Sequence, residues 1–208
     1  MLHFIDRSSA PGHQLLLDSM FRDRKTVFVD LMKWSLPCQG DQERDQFDTA
    51  DAIYLVVADD VTGLHKGSVR LLPTMGQHLL GDVFAHLCAE TPPRAADIFE
   101  ITRLCQDPRI RGDEARTVRI MLTNALVELA LSQGINSYVG VTPVDFLSRL
   151  LVTGWACRPL GLPCADGNSQ IAAFRIEIDG TTLGNMEKAG NYCPTGHTPD
   201  HYQLALAA

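Results

Sequence analysis

No apolar run in this chain approaches the roughly 20 residues that cross a bilayer. The first residues, Met1 to Arg7, carry no basic stretch followed by an apolar core, so no secretory leader is expected. There is no C-x-x-C pair. The six cysteines, at 38, 88, 105, 157, 164 and 193, are scattered, and a chain of 208 residues with 45% apolar content needs no staples. Reduced thiols in a cytoplasmic protein are expected. The seven histidines are scattered too, and His197 and His201 lack the acidic or thiolate company of a metal site. Excess positive charge is also missing. With 18 Lys+Arg against 25 Asp+Glu, the net charge of −7 argues against nucleic acid as the main partner. No linker-like stretch and no internal repeat appear. A single domain over 1–208 is expected, with about 190–208 as a mobile, Pro- and Gly-punctuated tail.

What is present concentrates between Arg24 and Asp48. Val27, Phe28, Leu31 and Trp34 fall at helical spacing, and Pro37 and Gly40 stop the pattern. Five acids follow: Asp41, Glu43, Asp45, Asp48 and Asp51. A charge run is most often a solvated loop. Trp34 and Phe47 bracket this one with large rings, which suits a loop closing over a cationic small molecule.

Along the chain, Leu2 to Ile5 reads as a strand, followed by a helical face through Leu15, Leu16, Ser19 and Met20. Ala52–Ala58 and Gly67–Leu72 read as an antiparallel hairpin around turn chemistry at 59–63. Leu79 to Leu87 is a mixed segment with a short helix. Ile98–Leu104 is a strand carrying Glu100 and Arg103. Residues three apart on a regular strand face opposite sides. If both serve one site, the strand must be bulged or splayed near Ile101–Thr102. Ala115–Gln133 is the clearest helix, with Asp113 as its N-cap and Gly134 as its stop. Ile135–Val141 reads as a strand, Val144–Val152 as a helix and Ile171–Ile178 as the last strand. The fold class is α/β in a mixed sense: a central mixed sheet with helices on both faces.

The order of Arg24, Phe28, Trp34, Asp45, Asp48, Arg70, Glu100 and Arg103 resembles the acyl-homoserine-lactone synthases, the autoinducer synthases of bacterial quorum sensing. The motifs are R-x-x-x-F-x-x-x-x-x-W, D-x-x-D, R-L-L-P-T from Arg70, Asp82-Val-Phe84 and Glu100-Ile-Thr-Arg103. The match is dense from Met20 to Arg103 and looser beyond it. After E-I-T-R the family more often places an aromatic, where this chain has Leu104-Cys105.

The resemblance implies a fold like that of the Gcn5-related N-acyltransferases, with a splayed parallel strand pair ending near Cys105 and Val141. It implies transfer of an acyl chain from acyl-carrier protein or acyl-CoA to the amine of S-adenosylmethionine. Lactone closure and release of methylthioadenosine follow. Both molecules are substrates, and no metal, cofactor or covalent enzyme intermediate is implied. Glu100 or Asp45 would accept the amine proton, directly or through water, with Glu100 preferred because a strand holds it. Asp45 and Asp48 would favour the sulfonium, and Arg24, Arg70 and Arg103 are candidates for the acceptor carboxylate. Trp34 would stack on adenosine or the sulfonium, although Phe28 and Trp34 also suit a core by spacing alone. Arg70 with Asp45, and Arg103 with Glu100, also suit structural ion pairs. Thr142 stands where the family uses Thr or Ser to accept a 3-oxo chain, and it suits the N-cap of the following helix. Arg109, Arg111, Arg116 and Arg119 make a basic face for an acidic carrier protein or a donor phosphate, or are ordinary surface arginines. Two other readings compete: a CoA-dependent N-acyltransferase of a different amine, and a non-catalytic binder of acyl donors.

Overall fold

The computed structural model describes residues 1–167 and 169–192. The elements in chain order are β1 (Leu2–Ile5), α1 (Gln14–Arg24), a π-helix (Lys25–Leu31), β2 (Cys38–Gln39), β3 (Gln42–Glu43), β4 (Ile53–Ala58) and β5 (His65–Pro73). Then come α2 (Leu79–Asp82), β6 (Ile98–Gln106), α3 (Gly112–Gln133), β7 (Ser137–Pro143), α4 (Val144–Leu150), β8 (Ala156–Pro159), β9 (Cys164–Asp166), β10 (Ser169–Glu177) and α5 (Thr182–Lys188). The residues expected to be a mobile tail lie, from 193 on, outside the described residues, as do His197 and His201. No helix among the described residues is long and apolar enough to cross a membrane.

The chain forms two compact units. The first comprises 1–71 and 103–123. Its β4 is wholly buried and pairs antiparallel with β1 on one side and β5 on the other, as the expected hairpin requires. The run Ile53–Ala58 has no polar alternation because both faces of the strand are covered. A register shift between Val57 and Ala58 interrupts the β4–β5 ladder. The helix from Gln14 does not continue regularly through Leu31. It widens into a π-helix, with the Met32 N–H donating to Val27 O five residues back at 2.9 Å. The wider turn shifts the phase of the apolar positions. Phe28 is buried, but Leu31, expected on the same face, is exposed.

The second unit comprises 72–102 and the chain from 124 on. Here β6 runs parallel to β7 over three pairs, Ile98 with Ser137, Phe99 with Tyr138 and Glu100 with Val139. β7 then pairs antiparallel with β10, and β10 with β8 and β9. The whole is a mixed α/β fold with a mixed sheet. Gly140 on β7 is a close-approach site, since a Cβ there would lie 2.8 Å from Ile101 O and from the Phe174 ring. The expected break in β6 is found one residue beyond Thr102: Arg103 has φ +52°, in the left-handed region that a side chain rarely adopts.

Two capping expectations fail. α3 starts at Gly112, so Asp113 lies inside its first turn, where a carboxylate still suits the helix dipole. The N-cap of α4 is Pro143 with no side-chain cap, and Thr142 instead pairs with Ala172 in the sheet, because the strand runs to Pro143 before the helix begins. Gly134 does stop α3, at φ +70°.

Candidate active site

The acidic stretch folds back on α1 as the small hairpin β2–β3, and α1 packs against β3. This fold-back carries Glu43, Asp45 and Asp48 to the arginines of α1, β5 and β6. Arg24 Nε donates to Glu43 Oε2 at 2.6 Å, and its two terminal nitrogens grip both oxygens of Asp48 at 2.8 and 2.9 Å. Arg70 Nη1 donates to Asp48 Oδ1 at 2.7 Å and to Asp45 Oδ1 at 2.6 Å, while its Nη2 reaches Asp45 Oδ2 at 3.0 Å. Arg103 closes the circuit, with Nη2 2.7 Å from Asp45 Oδ2 and 3.1 Å from Glu43 Oε1. Three guanidiniums and three carboxylates thus alternate in a closed, charge-balanced ring. Arg24, Arg70 and Glu43 are at most 1% exposed.

Further hydrogen bonds fix two carboxylates of the ring. The Tyr54 hydroxyl donates to Asp48 Oδ1 at 2.8 Å. The backbone N–H of Asp45 donates to Asp48 Oδ2, and that of Phe47 to Asp45 Oδ1. Burial alone would raise the Asp48 carboxyl, but Arg24 and Arg70 outweigh it and hold the group below the usual carboxylate range. Burial, with the Asp48 anion beside it, pushes the Tyr54 phenol well up, so it stays a neutral donor. Burial works against the Arg70 charge, yet Asp45 and Asp48 more than offset it. Aromatic rings line this polar circuit. Phe28 and Trp34 stack with centroids 5.1 Å apart and planes 10° off parallel, and the Arg103 guanidinium carbon lies 5.7 Å from the Phe28 centroid. Phe28 is buried and Trp34 half-buried.

Glu100 sits in the second unit, fully buried. Its two oxygens accept the backbone N–H groups of Leu80 at 2.7 Å and Leu79 at 2.6 Å, at the start of α2. It does for α2 what an N-cap side chain would, since His78 at the cap position makes no such bond. Thr142 is buried in β7.

The remaining candidates form no part of the ring. Arg109, Arg111, Arg116 and Arg119 are all exposed, on the loop before α3 and on its first turns. Arg109 Nε donates to Asp107 at 2.6 Å, and Arg111 to Ile110 O at 2.7 Å.

So Arg24, Asp45, Asp48, Arg70 and Arg103 come together as their order in the sequence suggests. Glu43 and Tyr54 were not singled out. Glu43 was one acid among five, with no periodicity to mark it. The signal for Tyr54 was available, since a tyrosine in a wholly buried strand must find a partner for its hydroxyl.

A family model described as autoinducer synthase matches residues 11–185. An acyl-homoserine-lactone synthase of Rhizobium etli is 33% identical over 200 residues, covering 94% of this chain and 88% of the relative. A CoA-dependent acyl-homoserine lactone synthase, solved with SAM and isopentyl-CoA, superposes with a TM-score of 0.82 at 28% identity, over 91% of this chain and 89% of its own. An acyl-CoA N-acyltransferase of Pseudomonas aeruginosa, 15% identical with a TM-score of 0.57 over 84% of this chain and 98% of its own, shares the fold. The expected likeness to N-acyltransferases is therefore borne out. The chain belongs to the autoinducer synthases, the acyltransferases that make acyl-homoserine-lactone signals for quorum sensing.

Proposed function

We propose that the ring in the first unit is where S-adenosylmethionine is held. The observation that carries this is its charge balance. An amino acid brings one ammonium and one carboxylate, so it can insert into an alternating circuit without leaving a buried charge unpaired, which would be strongly unfavourable. Its carboxylate would take a guanidinium from Arg24, Arg70 or Arg103. Its ammonium would lie against Asp45 or Asp48. The sulfonium, a further positive charge, suits the stacked faces of Phe28 and Trp34.

Glu100 is proposed as the proton acceptor for the amine, through a water, since both its oxygens already accept backbone N–H groups. The freed amine attacks the thioester carbonyl, the carbon–nitrogen bond forms, and the thiolate leaves. The carboxylate oxygen of the acylated acceptor then displaces methylthioadenosine from its own chain, which closes the lactone. This second step needs only a bent conformer held in place. An acyl-CoA donor is favoured by the likeness to the CoA-dependent relative. Thr142, free of the helix-capping role, is proposed to accept a 3-oxo group on the chain.

Mass spectrometry of an extract from a host expressing the chain tests this. Acyl-homoserine lactones, with methylthioadenosine formed by the purified protein, are the expected products. Acylation of another amine without methylthioadenosine would favour the competing N-acyltransferase.

The four exposed arginines favour a second reading of the donor, an acidic acyl-carrier protein. With Arg116→Glu and Arg119→Glu combined, use of an acyl-carrier protein should fall about tenfold or more at low salt and less at high salt, while acyl-CoA use is unchanged. Equal loss with both donors would place these arginines elsewhere than at a carrier interface.

A further inference from the structure

The first unit contains a second buried polar constellation that the ring does not use. His65, the first residue of β5, is 1% exposed. Its Nδ1 lies 2.8 Å from Asp23 Oδ2 and its Nε2 lies 3.0 Å from Ser68 Oγ. Its backbone N–H donates to Ser19 Oγ at 3.0 Å, and that hydroxyl donates to Leu16 O at 2.8 Å. Asp, His and Ser in this order resemble a nucleophilic triad, but Ser68 is 1% exposed, which does not suit a nucleophile. A different role is needed.

The local geometry is built for it. Ser19 and Asp23 are four apart on α1 and so share a face. His65 and Ser68 are three apart on a strand, which would ordinarily put them on opposite faces. The register shift resolves this. Val57 pairs with Gly67 while Ala58 pairs with His65, so β5 holds one extra residue there and its alternation is inverted. The irregularity brings His65 and Ser68 to one side, with His65 against α1.

We propose that His65 is a positioning residue for the acceptor site: it locks α1 to β5 beside the two arginines that share Asp48. Asp23 immediately precedes Arg24, and Ser68 lies two residues before Arg70, on the same face of the strand. Arg24 reaches Asp48 at 2.8 and 2.9 Å and Arg70 reaches it at 2.7 Å, so a slide of α1 along β5 would open one grip or the other. Constellations of this kind tolerate displacements of only about 0.5 Å. The inference rests on the reading that the ring holds S-adenosylmethionine.

The test compares His65→Leu, His65→Asn and Ser68→Ala by steady-state kinetics with each substrate varied, alongside calorimetric titration of S-adenosylmethionine and thermal melts. An asparagine amide can donate to Asp23 from about where Nδ1 sits, whereas leucine fills the space without donating. His65→Leu should raise the KM for S-adenosylmethionine on the order of tenfold, with the KM for the acyl thioester unchanged. His65→Asn should restore most of that loss, and Ser68→Ala should shift the same KM by a few-fold. Both KM values moving together, or Asn behaving like Leu while both melt normally, would overturn the proposal. If His65→Leu does not fold, Ser68→Ala decides, since it removes one bond only, and an unchanged KM for S-adenosylmethionine in that variant would overturn it. Asp48→Asn is the control. If it leaves binding of S-adenosylmethionine intact, the ring reading itself fails. If it weakens binding and the His65 and Ser68 variants do not, only the role of His65 fails.

Discussion

Asp48→Asn is expected to lose both binding of S-adenosylmethionine and several kilocalories of stability. Asp48 is the carboxylate on which Arg24, Arg70 and Tyr54 converge, and its side chain is 3% exposed. Removing its charge leaves two buried guanidiniums short of a partner and turns amide N–H groups toward donors. Breaking a buried ion pair from one side costs about 3–5 kcal/mol. Chemical denaturation should show the midpoint falling at unchanged slope. The same residue sets a pH dependence. Its carboxyl titrates lower in the fold than in the unfolded chain, where an aspartate titrates at about 3.9. Its contribution to stability is therefore complete above about pH 4 and is lost as the pH falls toward the folded value. Wild-type stability should drop on acidification below about pH 4, and Asp48→Asn should show a shallower drop. Equal slopes would mean that Asp48 is not paired with Arg24 and Arg70.

Glu100→Gln is expected to lower kcat by about 10²–10⁴-fold, the usual contribution of a positioned proton acceptor. Part of the effect is structural and must be separated. The glutamine amide can accept one backbone N–H of Leu79 or Leu80 but presents donors to the other, at a cost of about 1–3 kcal/mol. Glu100→Asp supplies the separation: a shorter carboxylate weakens the cap while keeping a proton acceptor. The expected order of turnover is wild type, then Asp, then Gln. Unchanged turnover in folded Glu100→Gln would remove Glu100 as the base and leave Asp45 or a water.

Much of the ring is legible in the sequence. Arg24, Asp45, Asp48, Arg70 and Arg103 fall in a fixed order, and the resemblance grouped them although they lie on α1, the acidic loop, β5 and β6. The elements themselves were legible where periodicity is long, as in α3, or where branched residues run together, as in β4. What escaped depended on short or irregular backbone. Strands β2 and β3 are two residues each, so nothing marked Glu43 as the acid that would meet both Arg24 and Arg103. The π-helix shifted the phase that placed Leu31 inside. The capping of α2 by Glu100 engages backbone N–H groups, which carry no side-chain signature. The pairing of His65 with Ser68 depends on a register shift that strand alternation cannot show. The break in β6 was expected from the spacing of Glu100 and Arg103, because alternation forbids one face for both, and the left-handed backbone at Arg103 is where the strand yields.

A crystal structure of the chain with S-adenosylmethionine bears most directly on the ring as the acceptor site. The expected density has the amino acid end of the ligand within hydrogen-bond distance of Arg24, Arg70 or Arg103 and of Asp45 or Asp48, with at least one of the present ion pairs exchanged for a ligand contact. Ligand bound elsewhere, with every ion pair of the ring intact, would contradict it.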